Sequence, residues 1–253
     1  MTLVKICGNR TPEDVLAAAA AGADFVGMVF AASKRRVEIA DAQAMVQALG
    51  TPLAERRVDV PTISPELRED LDAWFEHGAD LIEAYLEAKR PLTVGIFADQ
   101  PIDEVNAIAD ATGIDIVQLS GDETWEDALR VNRPVFQVVH ISPLDAPADV
   151  FELVEPGFAE ALMLDSAHGP FRGGSGVTFD WSVARETADR LPIVLAGGLS
   201  PENVEDAVRS VAPWVVDVSS GTETDGKKDH ARVRAFIDAV RAADAALATE
   251  AEV

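Results

Sequence analysis

Eight short apolar runs, each followed by a loop and then by an alanine-rich stretch of helical spacing, recur along the whole chain. This alternation limits what the chain can fold into more than any other feature. The runs are Val4–Cys7, Phe25–Phe30, Thr93–Phe97, Ile114–Leu119, Val135–His140, Ala161–Leu164, Ile193–Ala196 and Val215–Val218. Their apolar character is continuous, the pattern of strands buried on both faces of a parallel sheet. Between them, Thr11-Pro12-Glu13-Asp14 has the cap, early proline and early acid of a helix start, with Gly22 as the stop. Ser200-Pro201-Glu202-Asn203 repeats that start, with Val204, Ala207, Val208 and Val211 on one face. Pro101–Ala111, Trp125–Arg130 and Asp229–Leu247 are further helices, the last fraying over Ala248–Val253. Strand and helix alternating eight times predict an α/β fold, a closed (β/α)8 TIM barrel; an open doubly wound sheet would not need eight units. The 253 residues suit a single barrel domain over 1–253, since such barrels run to roughly 250 residues.

One region breaks the rhythm. Between the helix near Ala40–Leu49 and the strand at Thr93 lie more than forty residues, too many for a helix-to-strand connection. About 50–92 therefore reads as a helical insertion between the second helix and the third strand. Ser64-Pro65-Glu66-Leu67 opens a helix running past Trp74 to Gly78, with a second piece near Leu81–Lys89. A segment that follows a barrel helix lies towards the N-terminal face, which favours a structural or oligomeric role over a lid.

The charge balance narrows the function. Forty-four acidic against 21 basic residues give a net charge of −23, a field that repels nucleic acid and anionic membranes. Acid spread through every segment resembles the surface of a protein from a halophilic organism. The lone cysteine, Cys7, cannot form an internal disulfide and fits a reducing cytoplasm. The opening residues carry no charged leader pattern, and no stretch approaches the roughly 18–20 apolar residues of a membrane span. The expectation is a cytoplasmic protein, monomer or homodimer, with a small-molecule substrate.

In such a barrel the working residues sit at strand C-termini and in the loops that follow. Gly197-Gly198 and Ser219-Ser220-Gly221 follow the seventh and eighth strands, where barrels commonly hold a phosphate on backbone amides. Gly173-Gly174-Ser175-Gly176 adds a third glycine-rich loop. Cys7 ends the first strand; it is either a small buried apolar side chain or, with a lowered pKa, a thiolate base. Asp165 follows Leu162-Met163-Leu164 at the end of strand six; it is either a loop cap or a desolvated general acid. An acid and a base across a barrel mouth suit a proton shift within a phosphorylated sugar.

These residues carry a pattern that resembles the phosphoribosylanthranilate isomerases of tryptophan biosynthesis. Lys5-Ile6-Cys7-Gly8, Glu13-Asp14, Gly22-Ala23-Asp24, Gly27 and Phe30 resemble that family's opening. Ser33-Lys34-Arg35-Arg36-Val37 is similar to its Ser-x-Arg-x-Val loop. Leu164-Asp165-Ser166 with Gly173–Gly176 and Phe179-Asp180-Trp181 resembles its sixth-strand loop. Ala196–Val204, Val216–Gly221 and Gly226-Lys227-Lys228-Asp229 resemble its closing motifs. The resemblance implies an Amadori rearrangement that uses no cofactor and no metal. By it, Asp165 protonates the furanose oxygen and Cys7 removes the C2′ proton. Arg35 meets the anthranilate carboxylate, and Gly174, Gly197, Gly198, Ser219 and Ser220 help hold the substrate. One departure concerns the loop after strand four, which in the family reads Gln-Leu-His-Gly and here reads Gln118-Leu119-Ser120-Gly121. His168, in the loop after Asp165, reads as a solvated side chain.

Other phosphosugar barrels fit less well. An indole-glycerol-phosphate synthase would want a catalytic lysine at a strand tip, whereas Lys5 lies two residues before one. A dual sugar isomerase would carry an aspartate where Cys7 stands. A non-catalytic phosphate-ligand sensor on the same barrel would not need Cys7, Asp165 and Arg35 together.

Overall fold

The computed structural model describes residues 1–141, 147–166 and 181–251. In chain order the elements are β1 (Leu3–Ile6), α1 (Pro12–Ala21), β2 (Phe25–Val29), α2 (Ile39–Ala48), α3 (Leu71–Ala88), β3 (Leu92–Phe97), α4 (Ile102–Thr112) and β4 (Ile116–Leu119). There follow α5 (Trp125–Ala128), β5 (Val135–Ile141), α6 (Pro147–Glu152), β6 (Ala161–Ser166), α7 (Trp181–Ala188), β7 (Ile193–Leu195), α8 (Val204–Val211) and β8 (Val215–Val218). A short antiparallel pair, β9 (Glu223–Thr224) and β10 (Lys227–Lys228), leads into α9 (His230–Ala251). Strands β1 to β8 are joined in sequence order into a closed barrel, and β1 pairs in parallel with β8 to seal it.

Successive residues of a strand face opposite ways, and the core divides accordingly. Val4, Ile6, Val26, Met28, Leu162, Leu164 and Val216 pack against the surrounding helices. Leu3, Phe25, Val94, Phe136, Val138, Ala161, Met163 and Val215 fill the barrel. Cys7, Val29 and Ile96 form a small apolar layer towards the C-terminal mouth.

The stretch before β3 departs from the sequence reading. Pro65–Leu67 forms only a 3-10 turn, and α3 is one continuous helix of 18 residues rather than two pieces. Asp70, not Ser64, caps it, its side chain accepting from Ala73 N at 2.9 Å. Gly78 does not stop the helix. A Cβ there would lie 1.9 Å from the Glu160 carbonyl oxygen, so glycine lets α3 touch the start of β6. Ile82 and Leu86 of α3 join the barrel-filling cluster beside Leu3, Phe25, Leu92 and Phe136, residues of the lower strand ends. Such side chains contribute about 1.5–3 kcal/mol each when fully buried. Trp74 Nε1 donates to Ala159 O at 2.7 Å and Trp214 Nε1 to Glu83 at 2.9 Å, pinning both ends of the helix. Thus α3 lies across the N-terminal mouth, at the opposite end of the barrel from the strand C-termini. Among the described residues, no helix is long and apolar enough to cross a membrane.

Candidate active site

Period-two alternation places a set of polar side chains in the inward rows above the apolar floor. On β1, Lys5 and Cys7 follow Leu3; on β8 and beyond, Asp217 and Ser219 follow Val215. Closure sets Lys5 level with Asp217, and Lys5 Nζ donates to Asp217 Oδ1 at 2.8 Å. Lys5 is completely buried. A lone ammonium could not be kept charged there, but burial is outweighed by Asp217 and Cys7, so the Lys5 pKa is raised.

The same pair acts on both candidate catalytic groups. Burial pushes the Cys7 thiol up; Lys5, Lys228 and Arg35 pull it down only in part, and Asp217 adds to the rise. Of the two readings open for Cys7, the free protein favours the buried thiol, because desolvation wins. Burial likewise pushes the Asp165 carboxyl up to about 6, with His140, the Ser166 N–H and Lys5 opposing and Asp217 reinforcing. Asp165 Oδ1 accepts from Ser166 N at 2.7 Å.

Arg35 is held in the loop after β2, its backbone N–H donating to Ser33 Oγ at 3.2 Å. Its guanidinium grips Glu223 through both oxygens, Nε to Oε1 at 2.5 Å and Nη2 to Oε2 at 3.0 Å. Burial disfavours the Glu223 carboxylate, but Arg35 more than offsets it and holds the pKa below the usual range. A fork built for a carboxylate is therefore present and filled by one from the same chain. Lys228 Nζ reaches the Cys7 carbonyl at 2.7 Å, the Ser219 carbonyl at 3.1 Å and Thr222 Oγ1 at 3.1 Å, tying the β10 strand to the mouth.

The glycine-rich loops lie side by side. Gly197 and Gly198 after β7 have φ of 88° and 67°, and a Cβ on Gly197 would sit 2.9 Å from the Ser166 N and Oγ atoms. Ser220–Thr222 forms a 3-10 turn after β8. The helix start expected at Ser200 is delayed: α8 begins at Val204, and Asn203 instead bridges the turn, accepting from Ser200 N at 2.8 Å and donating to Gly198 O at 3.0 Å. Gly174 and His168 lie outside the described residues. Among the described residues there is no group of three or more His, Cys, Asp or Glu side chains able to hold a metal ion.

Lys5, Asp217, Glu223, Lys228 and His140 went unassigned from the sequence. The signal for Lys5 was available, since it stands two residues before Cys7 and shares its face. Its partnership with Asp217 needed the closure of β1 on β8.

Residues 71–239 match the family model for N-(5'-phosphoribosyl)anthranilate isomerase. The chain belongs to that family. A relative in Dehalococcoides mccartyi with that name is 35% identical over 249 residues, covering 96% of this chain and 98% of the relative. The crystal structure of phosphoribosyl anthranilate isomerase from Thermotoga maritima has 29% identity and a TM-score of 0.69, covering 96% of this chain and all of that one. A further structure of the family (TM-score 0.66, 28% identity, covering 96% of this chain and 100% of that one) is a complex with reduced 1-(o-carboxyphenylamino)-1-deoxyribulose 5-phosphate.

Proposed function

We propose that the buried Lys5–Asp217 pair organises an acid, Asp165, and a base, Cys7, for the isomerisation that defines the family. The reaction takes N-(5-phosphoribosyl)anthranilate to 1-(2-carboxyphenylamino)-1-deoxyribulose 5-phosphate, an Amadori rearrangement in tryptophan biosynthesis. Asp165 gives its proton to the furanose oxygen, the C1′–O bond breaks, and a Schiff base forms. The Cys7 thiolate takes the C2′ proton, and the resulting enol relaxes to the ketone. One proton is given and one taken, and no electrons leave the substrate. An acid and a base therefore suffice, with neither metal nor cofactor in the scheme.

The observation that carries this reading is the buried Lys5–Asp217 ion pair, with Lys5 one step below Cys7 on the inward row of β1. Arg35 holds the anthranilate carboxylate once Glu223 yields it, and Gly197, Gly198, Ser219 and Ser220 take the phosphate, with Gly174 as a further contact. The working protein is a cytoplasmic monomer or homodimer acting on this small molecule, with neither nucleic acid nor membrane as partner.

The active form has Asp165 protonated while Cys7 is ionised, a minority state that is most populated between the two pKa values. kcat/KM should therefore rise with pH through about 6, hold a plateau, and fall only above the raised Cys7 value. The decisive assay is the decay of anthranilate fluorescence on adding freshly made substrate to purified protein. Cys7→Ser and Asp165→Asn should each lose roughly 10²–10⁴-fold in kcat. Turnover unchanged in the double variant would overturn the assignment.

A further inference from the structure

Ser120 follows β4, and an imidazole lies against its backbone from the neighbouring strand. His140, on the inward row of β5 above Phe136 and Val138, has Nε2 2.9 Å from the Ser120 carbonyl oxygen. A carbonyl oxygen only accepts, so Nε2 carries the hydrogen and the Nδ1 of the neutral ring presents a lone pair. That Nδ1 is buried and finds no hydrogen-bond partner among the described residues. Buried acceptors are rarely left so. In the β5–β6 ladder, His140 is paired with Asp165, and both continue the inward rows that Val138 and Met163 begin. Neighbouring strands lie about 4.8 Å apart, so inward side chains at one level are neighbours; no hydrogen bond joins His140 Nδ1 to Asp165 in this structure, where Asp165 Oδ1 accepts from Ser166 N.

We propose that His140 is a positioning residue for the acid: its Nδ1 takes the hydrogen of the Asp165 carboxyl, so that the two side chains hold one proton at the barrel mouth and aim it at the substrate. This rests on Asp165 being the general acid. No extra reactant is needed. When the proton leaves Asp165 for the furanose oxygen, the carboxylate remains beside an imidazole that can restore a hydrogen bond by taking up a proton.

The surrounding charges fit this role. Asp165 feels Asp217 from β8, which raises its pKa, and Lys5 from β1, which lowers it, besides His140 itself. The inward residues of β4, Gln118 and Ser120, are neutral, and Gln118 Nε2 donates to Ser120 Oγ at 2.9 Å. Glu123 in the following loop is turned to the backbone N–H groups of Asp99 and Gly121, at 2.6 and 2.7 Å.

The test is kcat/KM against pH for the unmutated protein, His140→Gln and Asp165→Asn. Glutamine keeps a donor for the Ser120 carbonyl but cannot be protonated. The acid limb near 6 should move downward by about one pH unit in His140→Gln, because the imidazole lone pair that held the Asp165 hydrogen is replaced by a weaker amide acceptor. The substrate's phosphate titrates alike in every variant, so the displacement reports the protein. An inactive Asp165→Asn with an unmoved limb in His140→Gln would reduce His140 to packing and overturn the proposal. An active Asp165→Asn would overturn the assignment of the acid itself. Should His140→Gln fail to fold, the ring 15N shifts of His140 in the unmutated protein decide. Hydrogen on Nε2 of the neutral ring supports the pairing, and hydrogen on Nδ1 contradicts it.

Discussion

The two mouths of this barrel are made from the same eight strands, yet they treat buried polar groups in opposite ways. At the N-terminal mouth the buried carboxylates Asp115, Asp24 and Glu160 all have partners. Asp115 accepts from Leu53 N, Thr93 N, Thr93 Oγ1 and Lys89 Nζ at 2.5–2.9 Å. Asp24 takes Val4 N at 2.7 Å and the guanidinium groups of Arg90 and Arg241. Even Glu160, which burial pushes up to about 7, accepts from Val135 N at 2.6 Å. Towards the C-terminal mouth, Asn9 Oδ1, Gln118 Oε1, His140 Nδ1 and Ser166 Oγ are buried without hydrogen-bond partners among the described residues. Saturated groups hold the structure together, whereas unsaturated ones are stability forgone, kept where a substrate can complete them. A perturbed pKa alone does not tell the two apart, as Glu160 and Asp165 show.

The contrast can be broken at either end. The largest effect expected is from Asp115→Ala, which leaves the Lys89 ammonium buried without its partner and should cost about 3–5 kcal/mol. Denaturant unfolding measures this, and kcat of the protein that stays folded should be unchanged. Gly78→Ala forces a methyl against the Glu160 carbonyl and should destabilise by about 1–3 kcal/mol, again without altering kcat. Activity falling in proportion to neither would show that α3 reaches the chemistry. At the other mouth, Glu223→Gln weakens the internal competitor for Arg35. KM should fall roughly two- to five-fold, as for an ion pair worth up to ~1 kcal/mol, while a raised KM would mean that Glu223 serves to position Arg35. The smallest and least local effect is that of salt. With a net charge of −23, self-repulsion should lower Tm at low ionic strength and relax as molar salt shortens the screening length to about 3 Å, at both mouths alike.

The division of labour was only partly legible in the residues. The eight apolar runs and the barrel they imply follow from buried-strand composition, and those runs agree with the strands to within two residues or so. Gly78 read as a stop because glycine breaks isolated helices; only the approach of β6 turns it into a contact. Cys7 stayed open between a buried side chain and a thiolate base, because sequence does not show how far a strand end is desolvated, and here burial prevails. His140 passed as the last residue of a strand, since its importance depends on its register with Asp165 and on the Ser120 carbonyl. Glu223 is 188 residues from Arg35 along the chain, beyond the reach of any local pattern.

Stability and turnover of Asp165→Asn, taken together at pH 7, test the central claim most directly. Folding raises the Asp165 pKa from the ordinary carboxylate value to about 6. The stability this group contributes is thus present below the unfolded value and lost as pH rises through about 6, which leaves a cost at neutral pH. Removing the charge should raise stability by about 1–3 kcal/mol while kcat falls roughly 10²–10⁴-fold. Stability and kcat falling together would contradict the account, placing Asp165 among the groups that hold the barrel together.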